Sequence, residues 1–106
     1  MAKGYIIARV TVNDNDAYMK YAKAARVVMA EYGAKILVLG GQSEALQGEK
    51  RERNVVLEFE SFEKAKAYYN SPGYQAAREH RVADGVSEGE FLLIEGFDGP
   101  QPGEAH

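Results

Sequence analysis

The chain of 106 residues has the length of one ordinary domain, too short for two full cores. Hydrophobic residues at 45% and charged residues at 27% match a folded globular chain and exclude a disordered tail, a collagen-like rod and a coiled coil. The absence of cysteine excludes a disulfide framework, a thiolate nucleophile and a cysteine-ligated metal, and the net charge of -3 argues against a nucleic-acid partner. No apolar run approaches the roughly 20 residues of a membrane span. Met1-Ala2-Lys3-Gly4 leads straight into a strand pattern rather than a signal peptide, so a cytoplasmic protein with no membrane partner is expected. One imbalance remains: seven tyrosines and no tryptophan.

The first predicted strand spans residues 4–12. Ile6, Ala8, Val10 and Val12 make one face apolar, suited to packing against helices, while Tyr5, Ile7, Arg9 and Thr11 make a mixed face. Asn13 or Asp14 caps the helix that follows. Tyr18, Tyr21, Ala22, Ala25, Val28, Met29 and Tyr32 keep helical spacing along it, and Gly33 offers a left-handed cap. Residues 35–39 form a short continuous apolar run, expected as a buried strand. Gly40-Gly41 then suggests a bulge, residues 42–47 an edge segment and residues 48–52 a charged hairpin tip. In the third strand, residues 53–60, Val55, Leu57 and Phe59 share the apolar face, with Asn54, Val56, Glu58 and Glu60 opposite.

Ser61 caps a short helix to about residue 69, with Phe62, Ala65 and Tyr69 turned inward. Ser71 and Pro72 restart a helix to about residue 83, and residues 90–96 form the last strand. The expected fold is therefore α+β: a ferredoxin-like βαββαβ domain over residues 1–97 with a four-stranded antiparallel sheet. Residues 98–106 are expected as a flexible tail. Helices on one face leave Tyr5, Ile7, Arg9, Val56 and Glu58 on the other. Two copies packed sheet to sheet would cover that face and enclose a cleft.

The residues also resemble a known family. Gly4-Tyr5, Tyr18, Tyr21, Gly40-Gly41, the third strand with Glu58, Ser61, Tyr69-Asn70-Ser71-Pro72, Tyr74-Gln75, Arg78 and Arg81 are similar to the domain of unknown function 1330 family, within the dimeric α+β barrel superfamily. The likeness runs to about Gly96 and is most specific over residues 58–74. Gln47 and Gly73 depart from it, standing where glutamates are common. The resemblance implies a homodimer whose two sheets form a shared barrel. It implies no reaction, since the wider superfamily holds cofactor-free monooxygenases, lactone isomerases, haem-binding enzymes and non-catalytic members.

Several residues could carry chemistry. Arg78 and Arg81, one turn apart beyond Tyr74, could hold a carboxylate or phosphate through bidentate guanidinium contacts, or could pair with Glu79, Asp84 or Glu88. Glu58 in an apolar cleft could act as a general acid or base, or could form an ion pair with Arg9. Tyr18, Tyr21 and Tyr32 read as core or interface. Tyr69 and Tyr74 flank a helix break where Ser71 caps a helix or holds an anion. His80 stands without a second histidine or carboxylate cluster, so no metal is expected, and no motif calls for a cofactor. Gly40-Gly41 lacks the spacing of a phosphate loop, and the third strand lacks the stacking aromatics of an RNA-binding sheet.

The expectation is a homodimer binding a small anionic or aromatic molecule in a barrel cleft. Arg78, Arg81, Tyr74 and Ser71 would form an anion-recognition edge, with Arg9 and Glu58 in the interior and Tyr21 and Tyr69 as walls. If the protein is an enzyme, which the sequence leaves open, proton transfer by Glu58 is the candidate step. The competing reading is a non-catalytic structural or regulatory dimer.

Overall fold

In the computed structural model, which describes residues 2–104, the alternation of the first segment becomes β1 (Gly4–Val12). Ile6, Ala8 and Val10 are buried on the inner side. Helix α1 (Asn15–Glu31) follows, with the Asp14 carboxylate accepting from the Ala17 amide at 3.1 Å. Gly33, at a φ of 68°, turns the chain just beyond the helix. Strands β2 (Lys35–Leu39) and β3 (Arg53–Phe59), helices α2 (Phe62–Asn70) and α3 (Pro72–Val82), and strand β4 (Ser87–Glu95) complete the chain.

The strands lie in the order β2-β3-β1-β4, each antiparallel to its neighbour. With the helices on one face, this is the ferredoxin-like α+β fold. Ile6, Ala8, Val10, Val55, Leu57 and Phe59 form the inner face beneath the helices. Gly4 sits where the start of α2 crosses β1. A side chain there would run into the carbonyl oxygen of Ser61, so the absence of one sets the closeness of helix and sheet.

Ser71 is the pivot of the helical layer. Its hydroxyl donates to the Tyr68 carbonyl at 2.7 Å and accepts from the Tyr74 amide at 3.1 Å, closing α2 and capping α3 with one side chain. Pro72 then starts α3 without leaving an amide unpaired. The sharp turn brings Tyr68 and Tyr69 against Tyr74, with ring centroids 5.0 and 4.7 Å from it.

Four local expectations are corrected. β2 is an edge strand, not a buried one, and Leu37, Val38 and Leu39 are more than two-fifths exposed. An apolar run reports what a strand can bury but not how many neighbours it has. Gly40 and Gly41, at φ values of 66° and 88°, form no bulge; they turn the chain out of the sheet, and the register shift falls earlier, between Ile36 and Val38. Residues 42–47 form no strand and join residues 48–50 in one exposed loop. The last strand also starts three residues early, at Ser87. Of the segment expected as a tail, residues 98–104 are described, and Gln101 and Glu104 close a turn there; residues 105 and 106 lie outside the described residues.

Candidate functional site

A cavity of about 460 Å³ lies between α1 and the inner face of the sheet, within a single chain. That volume is within the range of about 300–1,000 Å³ typical of small-molecule sites. Ile6, Ala8 and Leu57 form its floor on the sheet, and Met29 and the ring of Tyr18 flank it from α1. Tyr21, Tyr68, Tyr69, Tyr74 and Phe91 make the remaining aromatic wall.

The polar groups converge at the aromatic end. The Tyr21 and Tyr74 hydroxyls lie 2.9 Å apart. Arg81, only 9% exposed, donates from Nε and Nη2 to the Tyr74 oxygen at 3.3 and 3.2 Å, and from Nη2 to the Tyr69 oxygen at 2.9 Å. Its guanidinium also lies 3.7 Å from the Phe91 ring centroid and 5.5 Å from that of Tyr21. The partners of this buried cation are phenols and ring faces rather than a carboxylate. Arg53, on the floor, stacks over Tyr18 at 5.1 Å, and its Nε has no hydrogen-bond partner among the described residues. Lys23 and Arg26 add two cations at the exposed rim, whereas no aspartate or glutamate lines the cavity.

Burial pushes the phenols of Tyr21 and Tyr68 well above the ordinary tyrosine range. The Tyr18 and Tyr74 phenols also rise through burial; the charge of Arg53 opposes this at Tyr18, as do the Tyr21 hydrogen bond and the Arg81 charge at Tyr74. These four rings therefore stay neutral at physiological pH, able to donate a hydrogen bond but not to act as bases. Burial works against the Arg81 charge, but the surrounding hydroxyls, that of Tyr74 foremost, hold its pKa above that of an ordinary arginine.

The model of a Domain of unknown function (DUF1330) matches residues 3–97. The chain is a member of the DUF1330 family. No curated protein matches this DUF1330 chain. A solved protein of unknown function from Rhodopseudomonas palustris is 18% identical, with a TM-score of 0.75 over 92% of this chain and 85% of that one. A dimeric ferredoxin-like protein of unknown function from Thermobifida fusca is 17% identical, with a TM-score of 0.58 over 88% of this chain and 90% of that one. SnoaB, a cofactor-independent oxygenase from Streptomyces nogalater, is 12% identical, with a TM-score of 0.58 over 98% of this chain and all of that one (100%). At these identities the likeness is one of fold.

Of the residues singled out from sequence in this DUF1330 chain, Tyr21, Tyr69, Tyr74 and Arg81 come together. The first three line the cavity, and Arg81 binds their hydroxyl end from behind. Ser71 is buried with its hydroxyl spent on the two helix ends. Arg78, one turn before Arg81, is half-buried outside the lining. Arg9 and Glu58 sit on the opposite sheet face and do not meet. Tyr5 stands across from Glu58 and donates to it at 2.9 Å, whereas Arg9 stands across from Asn54 and Glu90. Four residues of strand, about 13 Å, separate the two positions along β1. Arg9 instead donates to the Glu49 carbonyl at 2.6 Å and approaches Glu90 at 3.7 Å. The cavity thus lies beneath the helices, on the sheet face opposite Arg9 and Glu58.

Arg53 and Tyr68 are additions that the sequence reading passed over. Arg53 shares strand parity with Val55, Leu57 and Phe59, so a charge on an otherwise apolar face was the available signal. Tyr68 follows Ala65 by three residues and was legible from that spacing. Among the described residues, no group of three histidine, cysteine or acidic side chains could hold a metal, and no helix is long and apolar enough to cross a membrane.

Proposed function

We propose that this protein is a homodimer in which each protomer binds a small organic anion with a flat, apolar body. One observation carries the ligand reading. The chain has more acids than bases, 16 against 13, yet three cations and no carboxylate line its apolar cavity. The aromatic and aliphatic walls suit a ring, and the Arg53 guanidinium on the cavity lining suits the charged group. Site residues in this reading are Arg53, Tyr21, Tyr69 and Tyr74, with Arg81 behind the tyrosines.

Support for the dimer comes from the open sheet face. Leu92 and Ile94 are 53% and 44% exposed there, beside Ile7, Val56 and Val38, an apolar area that a second sheet would cover. The structural neighbour from Thermobifida fusca is described as dimeric.

Calorimetric titration with benzoate and with benzyl alcohol tests the ligand reading, because the two share a ring and differ in charge. Benzoate is expected to bind and benzyl alcohol to bind at least tenfold more weakly. Arg53→Met should cut benzoate affinity by about 10- to 100-fold, the range for a hydrogen bond to a charged group. Equal affinities for the two ligands would break the reading.

A further inference from the structure

We infer that the hydroxyl end of the cavity aims O–H donors inward and offers no carboxylate, amide or imidazole acceptor, so that a phenol or enol entering it is held as its oxyanion. This rests on the anion-binding reading above and specifies the ligand's ionisation state and acidic group.

The argument begins at the Tyr74 oxygen, which receives two N–H groups from Arg81. A phenolic oxygen has two acceptor positions and one proton. With both positions taken, Tyr74 must donate its proton to Tyr21, which fixes the direction of the 2.9 Å contact between them. Tyr21 then accepts from Tyr74 and keeps its own proton for the cavity that it lines. Tyr69 is set in the same way. Its oxygen accepts from Arg81 at 2.9 Å, so its proton also points away from the cation. One buried guanidinium therefore orients two neutral O–H donors, and their common complement is an oxygen carrying lone pairs and no proton.

The other groups facing this end agree in sign. Tyr18 and Arg53 from α1 and β3, and Tyr68 from α2, can donate, and Lys23 and Arg26 add positive charge at the rim. No lining side chain from any element is an aspartate, glutamate, asparagine, glutamine or histidine. A neutral hydroxyl would meet aimed O–H donors and, for its own proton, only the remaining lone pairs of phenol oxygens, weak acceptors set beside a cation. The oxyanion accepts from Tyr21 and Tyr69 within the field of Arg81 and Arg53, and the proton it loses passes to the solvent buffer. Such charge-assisted bonds are about twice as strong as neutral ones.

The test uses 4-nitrophenol, whose phenolate absorbs in the visible. Its pKa when bound to the dimer is expected to fall at least one unit below its value in buffer, a tenfold shift in ionisation. Tyr21→Phe and Tyr69→Phe should each return part of that shift; the second keeps the proposal testable if the first impairs folding. Benzoate titration runs alongside. Benzoate binding with the nitrophenol pKa unchanged or raised would overturn the inference and leave the anion reading standing. Failure of benzoate to bind would overturn both. A lowered pKa that neither tyrosine variant alters would also overturn the inference, because the arginines alone would then account for it.

Discussion

The two faces of one sheet treat charge in opposite ways. On the open face, Glu58 accepts from Tyr5, and Glu90 takes two hydrogen bonds from Arg51 at 2.9 and 3.0 Å. Arg9 finds the Glu49 carbonyl. On the inner face, Arg53 and Arg81 meet phenols and aromatic rings, and no acid lines the space between them. Charges on the first face are satisfied by their own chain and serve shape. Of those on the second, Arg81 is buried and Arg53 partly so, both without a matching acid, an arrangement that costs stability unless something else supplies the negative charge. Glu58, the carboxylate that stands out in the sequence, therefore faces away from the proposed ligand, and Arg53, which opens β3, faces it.

The largest expected separation of the faces comes from alkali. The folded chain holds the phenolic protons of Tyr18, Tyr21, Tyr68 and Tyr74 more tightly than the unfolded chain does, because burial raises their pKa above the ordinary 10.0. The unfolded state then loses protons first, so stability is fully present below pH 10 and falls as the pH rises beyond it. Tyr5 is also raised, by its hydrogen bond to Glu58, but it lies outside the core of the chain, so its ionisation does not require the helical layer to open. Tyrosinate absorbance followed together with circular dichroism should show the four inner rings ionising only as helix is lost. Ionisation of those four before any loss of helix would mean that the cavity is open to water.

Next in size is Tyr74→Ala. This ring is 1% exposed, packs on Tyr21, Tyr68 and Tyr69, and supplies the oxygen that holds Arg81. Its removal should cost about 3–5 kcal/mol in urea unfolding, the range for large aromatic truncations in a core. Glu58→Gln, on the other face, should leave both the unfolding midpoint and benzoate affinity nearly unchanged. A large loss of benzoate binding in Glu58→Gln would reverse the assignment of the two faces.

The contrast also explains what was legible in advance. Face membership was readable wherever parity governs: Ile6, Ala8 and Val10 against Tyr5, Ile7 and Arg9, and Val55, Leu57 and Phe59 against Val56 and Glu58. Helix ends were readable because Asp14, Ser61 and Ser71 cap through local bonds three residues long. Register was not readable. Parity puts Arg9 and Glu58 on one face but says nothing of how far apart they lie, and pairing Tyr5 with Glu58 moves Arg9 four positions away. The apolar run of β2 reads as buried from its composition alone and folds as an edge, because a run of apolar residues does not report how many neighbours a strand has. The cavity was least visible of all, since it depends on the spacing between α1 and the sheet.

A smaller effect is expected from Leu92→Lys on the open face, where Leu92 is half-exposed in the protomer. Twofold symmetry would place the substitution twice in one interface, burying two ammonium groups where two leucines packed. The dimer dissociation constant should rise about 100-fold, roughly 2.7 kcal/mol. Light scattering at micromolar concentration reads this directly, and benzoate affinity per chain should stay within about twofold because the cavity is internal to the protomer. A wild-type chain that scatters as a monomer would break the dimer reading outright.

The smallest effect belongs to the charge network at the base of the exposed loop. Arg51 binds both oxygens of Glu90 and the hydroxyl of Thr11, and together these contacts tie residues 49–51 across β1 and β4. Glu90 is well exposed, so screening by water and salt limits what the pair contributes. Glu90→Gln should lower the melting temperature by only a few degrees in dilute buffer. The difference should vanish in about 1 M salt, where charges are screened over roughly 3 Å. Arg81→Met should behave differently, since its cation is buried beneath Tyr69 and Tyr74: its effect on benzoate affinity should persist at the same salt concentration. If salt erased both effects alike, the inner charge would be as solvated as the outer one, and the distinction between the faces would collapse.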